Sequence, residues 1–316
     1  MMSYLFWAII ILIMVVLIYF GVGTVAALTM TKVGDHPQYD ENPGTFGLAF
    51  EPVRFRSRGD QLQIAGWYIP NPGVMKAIIL VHGRDASKQN AISGKFPELA
   101  AEINKAGFAV LMIDLRGHGE SEGKRYTFGV QERWDVLGAV DFLIEQGFEP
   151  GQIAALGISL GGAAVIGAAA AEQAIGAVVL ESTFADIHAL IKPHWKAESG
   201  LPMFFLPGVF YMWQVLYGND LRKVKPAEWL KSVFPRSILI LHSRSDEMVD
   251  YQQALALKKS VPEAELCVLD GPSHAELFRD NPRVYLAALI PFLEKFSGKE
   301  KQIMGNITGI HKTQRD

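Results

Sequence analysis

The sequence holds a single cysteine, Cys267, so no intramolecular disulfide can form and no cysteine-based zinc site can be assembled. Cys267 sits in the apolar run 266–269, where a buried, inert thiol is expected. This cysteine usage fits a reducing compartment without requiring one. An excess of positive charge is also missing: 30 Lys and Arg stand against 33 Asp and Glu, a formal net charge of −3. That leaves no electrostatic footprint for nucleic acid, and no nucleic-acid partner is expected. No internal repeat, metal-ligand pattern or nucleotide motif is present, so no cofactor or metal is expected. What the chain does have is apolar surface, 49% of 316 residues, enough for one large α/β domain with an appendage.

Charge of either sign is absent from Met1 to Thr31, and Leu5 to Met30 is almost wholly apolar. About 20 apolar residues cross a hydrocarbon core, so residues 1–31 are expected to be a single-pass membrane anchor. The small residues Val25-Ala26-Ala27 suggest a signal-peptide cleavage site, but no basic segment precedes the run and it is longer than a signal core. Lys32 follows the run and no Lys or Arg precedes it, which favours a cytoplasmic catalytic domain. Residues 32–50, rich in Pro, Gly, Asp and Asn, are expected to form a stalk.

Beyond the stalk the pattern becomes regular. Val53–Arg56 and Leu62–Ile69 alternate as an antiparallel hairpin around Gly59-Asp60. Continuous apolar runs at 77–82, 109–114, 153–158, 174–181, 237–242 and 265–270 read as buried parallel strands, with helices at 96–106 and 130–146 between them. This alternation predicts an α/β fold with a mainly parallel central sheet and helices on both faces. The rhythm breaks from about Phe184 to Trp229, where aromatic and Met residues crowd together and Gly200–Gly218 carries no charge. Pro202 and Pro207 divide that stretch and argue against a second membrane span. A helical cap over the carboxyl edge of the sheet is expected, its apolar face either roofing a pocket or touching a bilayer. The expected division is 51–183 and 233–296 for the core, 184–232 for the cap and 297–316 for a polar tail containing the sequon Asn306-Ile307-Thr308.

The motif that organises the chain is Gly157-Ile158-Ser159-Leu160-Gly161, set between a strand and an alanine-rich helix. A Gly-x-Ser-x-Gly elbow in this context holds the serine in a strained turn, and side chains at 157 and 161 would collide with neighbouring backbone. A serine hydroxyl is a weak nucleophile at neutral pH and needs a base oriented by a carboxylate. In this fold the chain order should be Ser, acid, His. Asp246 follows the strand at 237–242, and His274 follows the strand at 265–270. Glu247 and Asp250 are alternative acids, and His274 could instead cap a helix beginning at Ala275. The backbone N–H groups of Arg84, after Val81-His82-Gly83, and Leu160, at the helix start, are the candidate oxyanion hole. The Arg84 guanidinium could meet a substrate anion or pair with Asp85. His82, His118 and His242 are expected to be structural, and His188 and His194 to lie on the cap surface.

Val81-His82-Gly83, Asp114-Leu115-Arg116-Gly117-His118-Gly119-Glu120-Ser121, the elbow, Asp246 and His274 together resemble the α/β-hydrolase superfamily over residues 50–296. Within it the chain is similar to serine esterases, monoacylglycerol-lipase-like enzymes and aminopeptidase-type hydrolases. The resemblance implies an α/β-hydrolase fold and a Ser159–His274–Asp246 triad, with 114–121 a structural loop beside the site. The expected activity is membrane-anchored hydrolysis of a small-molecule ester, with an apolar acyl or lipid-like substrate favoured by the cap. Thioester and amide hydrolysis use the same parts, and an inert binding protein on this fold is the alternative of another class. The oligomeric state is open.

Overall fold

The computed structural model describes residues 2–34, 39–271 and 273–296. The tail expected at 297–316, with its sequon, and Pro272 lie outside the described residues, as do 35–38 of the expected stalk.

Eight strands among the described residues form one sheet: β1 (Glu51–Arg56), β2 (Gln63–Ile69), β3 (Ala77–Val81), β4 (Ala109–Ile113), β5 (Ile153–Ile158), β6 (Ile175–Glu181), β7 (Ser237–Ser243) and β8 (Glu265–Leu269). Their spatial order is β1-β2-β4-β3-β5-β6-β7-β8. β2 runs antiparallel to both neighbours, and every other pairing is parallel. Ten helices, again among the described residues, accompany the sheet: α1 (Met2–Met30), α2 (Phe96–Lys105), α3 (Glu132–Glu145), α4 (Leu160–Ala171), α5 (Ile187–Ser199), α6 (Leu206–Tyr217), α7 (Pro226–Leu230), α8 (Tyr251–Ser260), α9 (Leu277–Asp280) and α10 (Pro282–Phe296).

The unbroken apolar strands follow from two cores. Ile79 and Val81 of β3 face a cluster with α3, α4 and α8, while Ile78 and Leu80 face α2 and α10. With successive side chains on opposite faces, a strand covered on both must be apolar throughout. The sheet and its hairpin are as expected, with small shifts at element ends. α3 starts at Glu132 rather than Val130 because the buried Glu132 carboxylate accepts the N–H groups of Thr127 and Gly129, closing a turn ahead of the helix.

Between β6 and β7, where every residue is described, the chain forms α5, a 3-10 turn at Met203–Phe205, α6, a second 3-10 turn and α7, with no strand. The twelve residues of α6 give a length of about 18 Å, too short for a second membrane span. Leu206, Val209, Phe210 and Trp213 bury one stripe of α6 against the body.

The carboxyl half of α1 packs along α6. The Tyr19 hydroxyl donates to the Phe204 carbonyl (2.9 Å) and accepts from the Gly208 N–H (3.0 Å). Its ring stacks on Phe205 at 5.5 Å, and Phe20 meets Tyr211 at 5.2 Å. A Cβ on Gly23 would stand 3.0 Å from the Gly208 backbone, so glycine is what lets the helices approach. Further along, Thr31 Oγ1 and the Tyr217 hydroxyl are 2.7 Å apart. The described part of 32–50 lies against the body: Gly34 N–H donates to Asp85 (2.7 Å), and Leu48 and Phe50 pack on the α2 core.

Candidate active site

Ser159 links the end of β5 to the first residue of α4 with φ 52° and ψ −112°, a strained conformation for a residue with a side chain. Three strands hold it there. Its N–H donates to the Glu181 carbonyl at the end of β6 (2.8 Å). A Cβ on Gly157 would lie 2.4 Å from the Gly161 carbonyl oxygen, and one on Gly161 would lie 2.4 Å from that of His82. Both elbow glycines are therefore required by close backbone approach.

His274 comes from the loop after β8 and Asp246 from the loop after β7. His274 Nε2 lies 2.9 Å from Ser159 Oγ, while Nδ1 lies 3.0 and 2.9 Å from the two Asp246 oxygens. With Asp246 as acceptor, Nδ1 carries the proton and Nε2 is free to accept one from serine. Asp246 Oδ1 also accepts from the N–H groups of Met248 (3.0 Å) and Val249 (2.8 Å), which fixes the carboxylate plane. Burial acts to raise the Asp246 pKa, but the hydrogen bond and charge of His274 and the Val249 N–H outweigh it and hold the carboxyl below its ordinary value. Of the other acids weighed, Asp250 caps α8 through the Gln252 N–H, and Glu247 is exposed. The helix after His274 begins at Leu277, not Ala275, because Ala275 adopts φ +61° and interrupts it.

Gly83, Arg84 and Leu160 line the same pocket as Ser159 and His274, and a Cβ on Gly83 would be 3.4 Å from that of Ser159. Leu160 is the first residue of α4, so its N–H has no acceptor one turn earlier in the helix. The Arg84 side chain reaches Asp85 (3.4 Å) and, across the pocket, Glu198 of α5 (3.8 Å). Burial works against its charge, but Tyr126, Glu198 and Asp85 more than compensate and raise its pKa.

His82, His118 and His242 brace the surrounding loops. His82 Nδ1 meets the Gly83 carbonyl (2.7 Å), and its Nε2 accepts from Leu115 N–H (3.0 Å). His118 Nε2 accepts from Asp85 N–H (3.2 Å). The same 114–121 loop is knitted together by buried Asp114, which takes the Lys88 ammonium at 2.6 Å and the Glu120 N–H at 2.9 Å. His242 Nε2 meets the Val249 carbonyl (2.8 Å), and burial lowers its pKa. His188 packs on Phe210, but His194 departs from the surface placement expected for it: it lines the pocket and bonds the Met248 carbonyl at 3.1 Å.

Sequence reasoning passed over Glu181. Its side chain is fully buried at the end of β6, where Oε1 accepts from Leu277 N–H (3.2 Å) and Oε2 from the Tyr285 hydroxyl (2.7 Å). Burial pushes its pKa up to about 7. An acid ending an otherwise apolar strand is the one sequence signal that marks it. The pocket itself, about 480 Å3, is walled by Leu190, Ile191 and His194 of the cap and also by Met30 and Tyr39. That volume suits a small molecule.

The fold is shared by a wide set of solved structures. The esterase Pf2001 of Pyrococcus furiosus superposes with a TM-score of 0.69 at 21% identity, covering 84% of this chain and 98% of that one. A family model described as "Serine aminopeptidase, S33" matches residues 73–215, from the approach to β3 through most of α6. The chain has the α/β-hydrolase fold, and nearly half of it matches a hydrolase family model. In sequence, the chain is similar to the uncharacterized protein YfhR of Escherichia coli, 25% identical over 254 residues, 77% of this chain and 80% of that protein. Thiohydrolase aneE of Aspergillus aculeatus is 33% identical over 118 residues, 35% of this chain and 36% of its own length. In this fold the chain presents the β5–α4 elbow and the loops after β7 and β8 on one edge of its sheet, which is why residues 115 positions apart can meet.

Proposed function

We propose that this α/β hydrolase is a membrane-anchored serine esterase acting on carboxylic esters with an apolar acyl part. The observation that carries the reading is the unbroken relay from Ser159 Oγ through His274 to Asp246, at 2.9 Å on either side of the imidazole. His274 takes the serine proton as Oγ attacks the acyl carbon, and Asp246, ionised, stabilises the imidazolium and fixes its tautomer. The N–H groups of Arg84 and Leu160 receive the oxyanion. The alcohol leaves with the proton from His274, giving an acyl-enzyme. Water then attacks the ester carbonyl, His274 takes its proton, and Ser159 is released protonated.

Pocket chemistry favours an apolar acyl group, with Ile158, Leu190, Ile191, Phe128, Phe184 and Val249 on its walls. Thioester cleavage is the second reading, favoured by the partial match to a protein named a thiohydrolase. The anchor assignment rests on α1, which by length and composition suffices to cross a membrane.

A fluorophosphonate probe should label the full chain and fail to label Ser159→Ala; equal labelling of both would refute Ser159 as nucleophile. A parallel series of p-nitrophenyl esters, acyl thioesters and aminoacyl anilides should be turned over in that order. Anilides cleaved while esters of every length are ignored would overturn the esterase reading.

A further inference from the structure

We infer that the tip of the cap is a second membrane-binding element, embedded beside α1, and that the pocket draws its ester from that same bilayer. This deepens the esterase reading and rests on α1 being a membrane span.

Of the sixteen residues Ser3–Ile18 all but the half-buried Ile10 are exposed, and at 1.5 Å per residue they cover about 24 Å. A hydrocarbon core is about 30 Å thick, so the span must continue through about four more residues, to Val22. Tyr4 and Trp7, placed as interfacial anchors, move the span further toward Ala27, and any tilt of α1 does the same. Tyr19, hydrogen-bonded to Phe204 and stacked on Phe205, is therefore inside the hydrocarbon layer. Whatever is held against Tyr19 must be there too.

The cap is built for that position. Met203 is 45% exposed and Phe204 63%, side by side at the tip. From them a second stripe of α6 (Pro207, Tyr211, Val215) faces outward, Tyr211 at 55% and Val215 at 60% exposed, opposite the stripe that packs on the body. Apart from the exposed Gln214, α6 is apolar on both faces, which fits an environment that is apolar on both sides. The 201–217 stretch contains no ionisable group except Tyr211 and Tyr217, while Lys192 and Lys196 are exposed on α5 before the tip, where lipid phosphates would lie.

The occupant is a bilayer because the exposed stripe is continuous with α1 itself. Met30, at the end of α1, lines the pocket that contains Ser159, about 12 Å beyond Val22 along the helix. An amphiphilic ester can reach the serine by sliding up between anchor and cap with its tail still in lipid, without crossing bulk water.

The full chain, with Cys267→Ala to remove its own thiol, would be reconstituted in phosphatidylcholine vesicles. The fluorophore NBD would be attached to one new cysteine at a time: Leu12→Cys in α1, Phe204→Cys at the tip, or Val284→Cys on the far helix α10. Lipid-borne nitroxide should quench Leu12→Cys and Phe204→Cys and leave Val284→Cys unchanged. Quenching at Leu12→Cys with a water-exposed Phe204→Cys overturns the inference, as does disulfide cross-linking of Phe204→Cys between copies in place of quenching. No quenching at Leu12→Cys defeats the anchor itself. Fluorophosphonate labelling of the same vesicles reports on the hydrolase reading independently. The pair Met203→Asp and Phe204→Asp should slow hydrolysis of a vesicle-borne long-chain ester at least tenfold while a soluble acetate ester is cleaved within twofold of wild type; equal losses on both substrates would contradict delivery from the bilayer.

Discussion

The elbow and the α1–α6 pair are both close backbone approaches allowed by glycine, and they differ in what surrounds the contact. At the elbow, Gly157 and Gly161 admit backbone from β3 and α4 into a site with no room to relax, and one strained serine is the result. Between α1 and α6, Gly23 and Gly208 bring together two helices whose outward faces are exposed and largely apolar. Tight enclosure produces positional accuracy, which catalysis needs to fractions of an ångström. Loose enclosure produces a contact whose stability depends on the surrounding solvent. Substitutions at the two places should therefore fail differently.

The largest effect is expected from His274→Ala, which should lower kcat/KM at least about 1,000-fold with an unchanged melting temperature. A drop of only a few-fold would place the base elsewhere. Asp246→Asn should cost on the order of 100-fold or more in kcat, because the amide cannot hold the Nδ1–H tautomer. Retained activity would shift the acid away from Asp246.

Gly157→Ala acts on stability as well: with the new methyl 2.4 Å from a carbonyl oxygen, it should destabilise the fold by about 3 kcal/mol in urea titration. Unaltered stability would mean that the elbow can relax. Gly23→Leu is the matched perturbation at the anchor. It should separate α1 from α6 yet leave hydrolysis of a soluble acetate ester within about threefold, since Ser159 is held by β3, β5 and β6. A loss as deep as that from Gly157→Ala would erase the distinction between the two regions.

The most subtle effect concerns Glu181. Its pKa, raised by burial to about 7 from an ordinary 4.5, means that the folded chain holds a proton the unfolded chain gives up. Stability should therefore fall as pH rises from about 4.5 to about 7, by up to about 3 kcal/mol from this group alone. Glu181→Gln should remove that part of the slope, measured by urea titration at pH 5 and pH 8; equal slopes would contradict it. Asp246 behaves in the opposite sense: its lowered pKa gives stability that is present above about pH 4 and lost on acidification.

The elbow was legible because strand, glycine, serine and helix are consecutive, and the loops after β7 and β8 open on a known edge of a parallel sheet. His274 lies within hydrogen-bond reach of Ser159 on one side and of Asp246 on the other. The anchor pairing was not legible. A helix apolar on every side has no periodicity to say which face meets a partner, and Gly23 looks like any small residue in a span. Glu181 was hidden for a different reason. Its partners Leu277 and Tyr285 are 96 and 104 residues away, so nothing local shows that its carboxyl is enclosed. Met30 enters the pocket from a stretch whose composition suggests a membrane span, and Tyr39 from one that suggests a spacer, neither of them a wall.

The proposed reaction passes through an acyl group on Ser159 Oγ. The full chain, mixed with a p-nitrophenyl ester and quenched in acid within the first turnover, would be digested and its Ser159 peptide weighed. An acyl mass increment is expected on that peptide, with a p-nitrophenol burst stoichiometric with protein. Continued ester turnover with no acylated Ser159 peptide and no burst would contradict it.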